Sequence, residues 1–251
     1  MMPAEDKAPS DGSRGRLART LEMMTDLGTL RADLNTALNE ATLVSAVVDE
    51  VDRKARITLA VRTLPEEGPP SRDPRVMIVL APLGRICASL RDGRWNDAGA
   101  PVQPFVLPQL TDIVRSFHEQ PIYGWDFIDS AAEDDYARWG QRLSLDVSLG
   151  SGDGLSHTLD LFQESATGSE RHLDLRFWFD RLYVFKPSVS GELVPIPLEV
   201  FAADGRRWWQ GLRKSDPRTV GQGIVSGTGM SADDLRRLRE SLGRRRPSDP
   251  H

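Results

Sequence analysis

Cysteine and histidine are scarce in this chain of 251 residues, and this scarcity limits the chemistry open to it. The one cysteine, Cys87, excludes an intramolecular disulfide and a metal cage built from cysteines. The four histidines are scattered, and His157 and His172 fall on opposite sides of the predicted strands that carry them. The sequence therefore predicts no metal site and no cofactor.

Long apolar runs are also missing. The longest, Val76 to Leu83, has eight residues including a proline, whereas a helix that spans a bilayer needs about 20 apolar residues. The first 16 residues carry acids and no apolar stretch, which predicts no secretory signal. With 39% hydrophobic and 27% charged residues, the chain can form a sizeable core. We expect a soluble, cytoplasmic protein with no membrane partner.

Lysine is rare, and the charge is unevenly distributed. Four of the 32 basic residues are lysine, and such a preference for arginine is typical of G+C-rich bacterial genomes. The net charge is −5, but Gly205 to His251 holds 11 basic and five acidic residues, a charge of +6. The first 204 residues therefore carry −11. An acidic body with a basic tail indicates an interaction surface.

The apolar pattern predicts an α+β fold, in which two antiparallel β-meanders pack against the N-terminal and connecting helices. Residues 1–13 have the composition of a disordered segment. Residues 14–140 hold the first meander and its helices, which we expect over 17–38, 105–118 and 131–141. The first meander has predicted strands at Val44–Val51, Arg56–Thr63, Arg75–Leu80 and Arg85–Leu90.

The second meander occupies residues 141–215. Its predicted strands are Leu143–Leu149, Leu155–Gln163, Leu173–Phe179, Leu182–Phe185 and Leu193–Phe201. Residues 216–230 form a Gly-rich linker, and residues 231–251 form a basic helix and tail. Thr58 and Arg75 align with Thr158 and Arg171, so we hypothesise that the two halves arose by internal duplication.

The most distinctive segment of the sequence, residues 121–129, combines three aromatic residues with two carboxylates. Tyrosine and tryptophan carry much of the binding energy at protein interfaces, because each joins a large rigid apolar face to a polar tip. Tyr123, Trp125, Asp126 and Asp129 are therefore candidate partner-binding residues.

The same carboxylates allow two other interpretations. Asp126 and Asp129, together with Glu133, could hold Mg²⁺ or Ca²⁺ or perform acid–base chemistry. Alternatively, Ser130 and Glu133 have the spacing of a capping box, in which acids stabilise the first turn of a helix. The capping interpretation makes the acids structural.

A second aromatic pair, Trp208 and Trp209, lies among arginines. Cation–π stacking and one buried indole would explain this pair structurally. Adjacent tryptophans point in different directions on a helix or a strand, however, so one of them can be exposed. We therefore include Trp208 and Trp209 among the candidate partner-binding residues.

Motifs for nucleophilic or phosphate chemistry are missing. The chain has no Gly-x-Ser-x-Gly sequence, and Cys87 is predicted to be a buried, inert thiol. The glycine-rich run from Gly221 to Gly229 has Ser226 in place of the third glycine of Gly-x-Gly-x-x-Gly, so it is interpreted as a linker. We expect no catalytic residues.

These observations favour a non-enzymatic protein-binding or regulatory module with a protein partner, and toxin-neutralising proteins are one class with such a composition. One alternative is a metal-dependent enzyme that uses the acids from Asp126 to Glu133. The other is a nucleic-acid-associated protein that binds through its basic tail. Nucleic acid is the less favoured partner, because no aromatic residue alternates with Arg244 to Arg246. The sequence leaves the oligomeric state open.

Overall fold

The computed structural model describes residues 26–94, 97–117, 120–130, 133–150, 155–165, 170–188 and 191–219. Several expectations fall outside these ranges: the disordered segment 1–13, most of the linker 216–230, and the basic helix and tail 231–251. They stay predictions.

The described residues form four α-helices and seven strands, which confirms the α+β class. The helices are α1 (Leu27–Leu38), α2 (Leu110–Arg115), α3 (Glu133–Gly140) and α4 (Leu198–Lys214). The strands are β1 (Thr42–Asp49), β2 (Lys54–Ala60), β3 (Arg75–Asp92), β4 (Leu145–Ser148), β5 (His157–Glu164), β6 (Arg171–Pro187) and β7 (Leu193–Ile196). A 3-10 turn, Leu107–Gln109, precedes α2, so the helix predicted over 105–118 is shorter in the structure. None of the helices in the described part of the chain has the length and apolar content needed to cross a bilayer.

The seven strands form one antiparallel sheet with the order β1-β2-β3-β6-β5, so the two predicted meanders join along one central pair of strands. β4 pairs with β3, and β7 pairs with β6. Each half thus contributes one hairpin, β2–β3 or β5–β6, to the centre of the sheet. The internal duplication stays a prediction, because antiparallel hairpins can take this order without common descent.

The central strands β3 and β6 are longer than the sequence suggested. The sequence predicted two strands, Arg75–Leu80 and Arg85–Leu90, but the structure has one strand of 18 residues. A shift in register between Leu83 and Arg85 accommodates the residues between the two predicted strands without ending β3. β6 likewise runs through the expected break after Phe179 and has 17 residues.

The strand predicted over Leu193–Phe201 is wrong beyond Ile196. Pro197 occupies the N-cap position, and a helix of 17 residues follows it. Proline is tolerated here. It has no backbone N–H group, and the N–H groups at the start of a helix have no acceptor within the helix. Glu199 in the first turn and basic residues in the last turn complement the helix dipole. Trp208 and Trp209 therefore lie on a helix, α4.

Both central strands supply the hydrophobic core, with buried apolar side chains that alternate within each half of the strand and change parity near the register shift at Leu83. These side chains are Val76, Ile78, Leu80, Leu83, Ile86, Ala88 and Leu90 on β3, and Leu173, Leu175, Phe177, Phe179, Leu182 and Val184 on β6. α1 adds Leu34 and Leu38 to this core, and α4 adds Phe201.

α1 and α4 approach each other unusually closely. A Cβ atom placed on Gly205 would lie 2.3 Å from the Cβ of Ala37 and 2.5 Å from its Cα. Both distances are too short for carbon atoms that are not bonded to each other. An ion pair between Arg206 and Asp33 links the same two helices. Glycine at position 205 therefore sets the distance between α1 and α4.

We expect Gly205→Ala to destabilise the protein by about 1–3 kcal/mol, because the added methyl group overpacks the contact with α1. Removing the opposing methyl group in Ala37→Gly/Gly205→Ala should recover part of this loss, less about 1 kcal/mol for glycine inside a helix. Urea unfolding of the two single variants and the double variant measures both effects. A Gly205→Ala variant as stable as the unaltered protein would contradict the close contact, because the added Cβ would also meet the Cα of Ala37.

Candidate functional site

The segment 120–130 is held in place along the outer edge of β5. The backbone N–H of Tyr123 donates to the Phe162 carbonyl at 2.9 Å, and that of Asp129 donates to the Thr158 carbonyl at 3.0 Å. These bonds use backbone groups of β5 that an edge strand would otherwise leave open. The segment is thus fixed against the sheet.

Asn35 of α1 holds this segment from the other side. Its side-chain Oδ1 accepts the backbone N–H groups of Phe127 (3.1 Å) and Ile128 (3.0 Å). Its Nδ2 donates to Asp126 Oδ1 at 2.6 Å. Phe127 and Ile128 are buried in the core, whereas the residues from Tyr123 to Asp126 stay at the surface.

Tyr123, Trp125 and Trp209 form what we call the aromatic surface. Trp125 is 68% exposed and Tyr123 is 45% exposed. The ring of Trp209, on α4, lies 6.2 Å from the ring of Trp125, centroid to centroid. Two sequence segments that were predicted separately as partner-binding therefore meet at one place.

Trp208 lies beneath the aromatic surface. Its side chain is only 3% exposed, and its ring meets that of Trp209 edge to face at 4.9 Å. The Arg62 guanidinium lies 5.2 Å from the centre of the Trp208 ring. Trp208 is thus a core residue that positions Trp209, and Trp209 is the member of the pair that reaches the surface.

The acids of the segment do not form a shared cluster. Asp126 bonds to Asn35, whereas Asp129 accepts the Thr158 backbone N–H at 2.8 Å and contacts His157 Nδ1 at 2.7 Å. The side chain of Glu133, and with it the capping box, lies outside the described part of the chain. Among the residues that the structure describes, no group of three or more His, Cys, Asp or Glu could hold a metal ion.

The sheet face opposite the core carries a feature that sequence reasoning missed. Arg91 and His172 both bond to the Asp174 carboxylate, the histidine through Nε2 at 2.8 Å. Arg176 forms a two-pronged pair with Asp160, at 2.5 and 2.6 Å. We call these five residues the polar layer. Three alternating polar residues of β6, His172, Asp174 and Arg176, were its signal in the sequence, but alternation is more typical of a wet face.

α3 covers the polar layer with aromatic rings. The Arg176 guanidinium lies 4.2 Å from the centre of the Tyr136 ring, and that ring meets Trp139 edge to face at 4.8 Å. The Tyr136 hydroxyl donates to the sulfur of Cys87 at 3.8 Å, and the Cys87 thiol donates to Asp146 at 3.1 Å. Cys87 therefore links Tyr136 to Asp146 in a hydrogen-bonded chain that runs from the interior to the exposed Asp146 carboxylate.

Burial raises the pKa of three of these groups, because a charged form loses its hydration when it is buried. The effect raises the pKa of the Cys87 thiol to about 12, helped by the bond to Asp146, and raises the pKa of Tyr136 to about 12. Burial also raises the pKa of Asp160, against the opposing effect of Arg176. Cys87 is thus a protonated thiol at neutral pH and is not prepared to act as a nucleophile.

We expect Trp125→Ala and Tyr123→Ala to change the free energy of unfolding by no more than about 0.5 kcal/mol each, because both side chains are exposed. Trp208→Ala should cost about 3–5 kcal/mol, because it removes a buried indole. Urea unfolding of the three variants makes the comparison. If Trp125→Ala proves as costly as Trp208→Ala, Trp125 is a structural residue.

The raised pKa values of Cys87 and Tyr136 predict that stability falls at high pH. Their ordinary values are 9.0 and 10.0, so the unfolded chain loses these protons before the folded one does. Stability from this source is complete below pH 9 and is lost progressively as the pH rises towards 12. Urea unfolding at pH 8 and pH 10.5 should show the loss, and Cys87→Ser should lose less. Rapid alkylation of native Cys87 by iodoacetamide at pH 8 would contradict the prediction.

Comparison with known proteins adds no relative to this description. No family model matches the chain, no curated protein matches its sequence, and no solved structure matches its fold. A function has to be inferred from the arrangement of the chain's own side chains, and above all from the aromatic surface.

Proposed function

We propose that this protein is a protein-binding module whose partner docks on the aromatic surface. The observation that carries the proposal is the contact between Trp125 and Trp209, which come from segments far apart in the sequence and meet at 6.2 Å at the surface. Interfaces concentrate their binding energy in such tryptophan and tyrosine side chains.

The way the aromatic surface is held supports the same proposal. Backbone bonds to β5 and the Asn35 side chain fix the segment that carries Tyr123 and Trp125. Buried Trp208 supports Trp209 from below. A partner that binds a surface already in position loses less conformational entropy than one that must order it.

The alternatives gain less from the geometry. A metal-dependent enzyme would need Asp126 and Asp129 to converge, yet each bonds to a different neighbour. The prediction of nucleic-acid binding depends on residues 231–251, which lie outside the described part of the chain. A toxin-neutralising protein remains one form that the proposed module can take, with the cytoplasm as the proposed location.

A photo-crosslinking amino acid at position 125 tests the proposal in cells of the organism that makes the protein. We expect one discrete adduct, because a partner seated on the aromatic surface would contact this side chain. The matched control places the same amino acid at position 51, where Val51 is 93% exposed on the β1–β2 turn. Position 51 should give no comparable adduct.

Competition makes the crosslinking test specific. An excess of the protein without the photo-crosslinking amino acid should suppress the adduct at position 125. An excess of the Tyr123→Ala/Trp125→Ala protein should not. The proposal fails if position 125 gives no discrete adduct, or if the double variant competes as well as the unaltered protein.

A further inference from the structure

Two carboxylates flank Tyr123 because of the way the backbone is joined there. The Ile122 N–H donates to the Ala41 carbonyl at 2.8 Å, and Ile122 also bridges to Gln163 of β5. Because Thr42 bridges to Pro121 in the antiparallel sense, Glu40 lies across from Tyr123 on one side. On the other side Phe162 lies across from Tyr123, and Glu164 is two residues beyond it on the same face of β5, within reach of a long side chain. The Tyr123 end of the aromatic surface therefore lies between two acids.

The electrostatics of Tyr123 agree with this placement. Burial raises the pKa of its phenol, and the negative charges of Glu164 and Glu40 raise it further. Burial would oppose a cation as much as an anion, but the two negative charges favour a cation beside the ring. The face of its ring adds a weak attraction for a cation of its own.

These carboxylates remain accessible. The Glu40 side chain is 51% exposed and lies 3.4 Å from Arg62, whose guanidinium is turned to the Trp208 ring. Glu164 is half-buried, and the nearby Arg94 forms its ion pair with Glu170, at 2.9 Å. The acidic end can thus receive a further positive charge.

The opposite end of the aromatic surface differs. Trp209 lies on α4 beside Arg206, which is paired with Asp33 of α1. There the indole rings of Trp125 and Trp209, whose centroids are 6.2 Å apart, present an apolar area. A bound segment therefore meets carboxylates at Tyr123 and indole rings beyond them.

We propose that the docked partner presents a basic segment, with an arginine or lysine between Glu40 and Glu164 over Tyr123 and an apolar side chain against Trp125 and Trp209. This inference rests on the proposed function, and it names the chemistry of the partner: a protein segment that alternates cationic and apolar residues.

Three fluorescein-labelled peptides of 12 residues test this chemistry by anisotropy against the full chain. One alternates Arg and Leu, the second Glu and Leu, and the third Ser and Leu. We expect the Arg-Leu peptide to bind most tightly and to weaken as salt rises from 50 to 300 mM, because salt screens its contacts with carboxylates.

Variants locate the binding. Glu164→Gln and Glu40→Gln should each weaken the Arg-Leu peptide about two- to fivefold, the range of an exposed charge pair. Trp125→Ala should weaken it more than about tenfold, as expected for an aromatic anchor. The control is Glu192→Gln, because Glu192 adjoins β7 at the opposite end of β6 from Glu164. This control should leave the affinity unchanged.

Each contrary result has a definite meaning. If the three peptides bind equally, or Glu192→Gln acts like Glu164→Gln, the basic chemistry is wrong. If no peptide binds but position 125 still gives its discrete crosslink, the inference fails and the proposed function stands. If Arg244→Gln/Arg245→Gln/Arg246→Gln strengthens peptide binding more than tenfold, the chain's own tail occupies the surface, which overturns a partner segment as the occupant.

Discussion

The pairing of β3 with β6 is the constraint on which the other parts of the structure depend. Where Ile86 to Asp92 of β3 pair with Arg171 to Phe177 of β6, one face carries the apolar core and the other carries the polar layer. Because side chains alternate with a period of two, a slip of one residue would turn Arg91 and Asp174 into the core and the leucines out of it. Removing one partner of such a buried ion pair leaves an uncompensated charge. The two faces together therefore permit one register.

The aromatic surface follows from this pairing through a chain of contacts. The β3–β6 register places β5, and β5 with Asn35 holds the segment that carries Tyr123 and Trp125. Asn35 belongs to α1, whose contact with Gly205 sets the position of α4 and of Trp209. No one element contains the candidate site.

This dependence explains what the sequence could and could not predict. Alternation of apolar residues was enough to find β1, β2, β5 and the α+β class. α4 was not predicted. Its first turn was assigned to a strand, because Leu193, Val194 and Ile196 have the composition of a strand and the change comes at Pro197. The polar layer was missed because its residues alternate as on a wet face. Tyr123 and Trp209 could be named as candidates from residue type, but their meeting depends on long-range packing.

The separation in sequence of the parts that build the aromatic surface has a consequence for when it exists. Asn35 bonds to a backbone group 92 residues away, and the Asp33–Arg206 pair closes a loop of 173 residues. A chain still on the ribosome, with α4 inside the exit tunnel, lacks Trp209 and the neighbour it provides for Trp125. A partner that needs both rings can therefore recognise only molecules in which α4 has packed against α1, and by mass action it would stabilise them against unfolding.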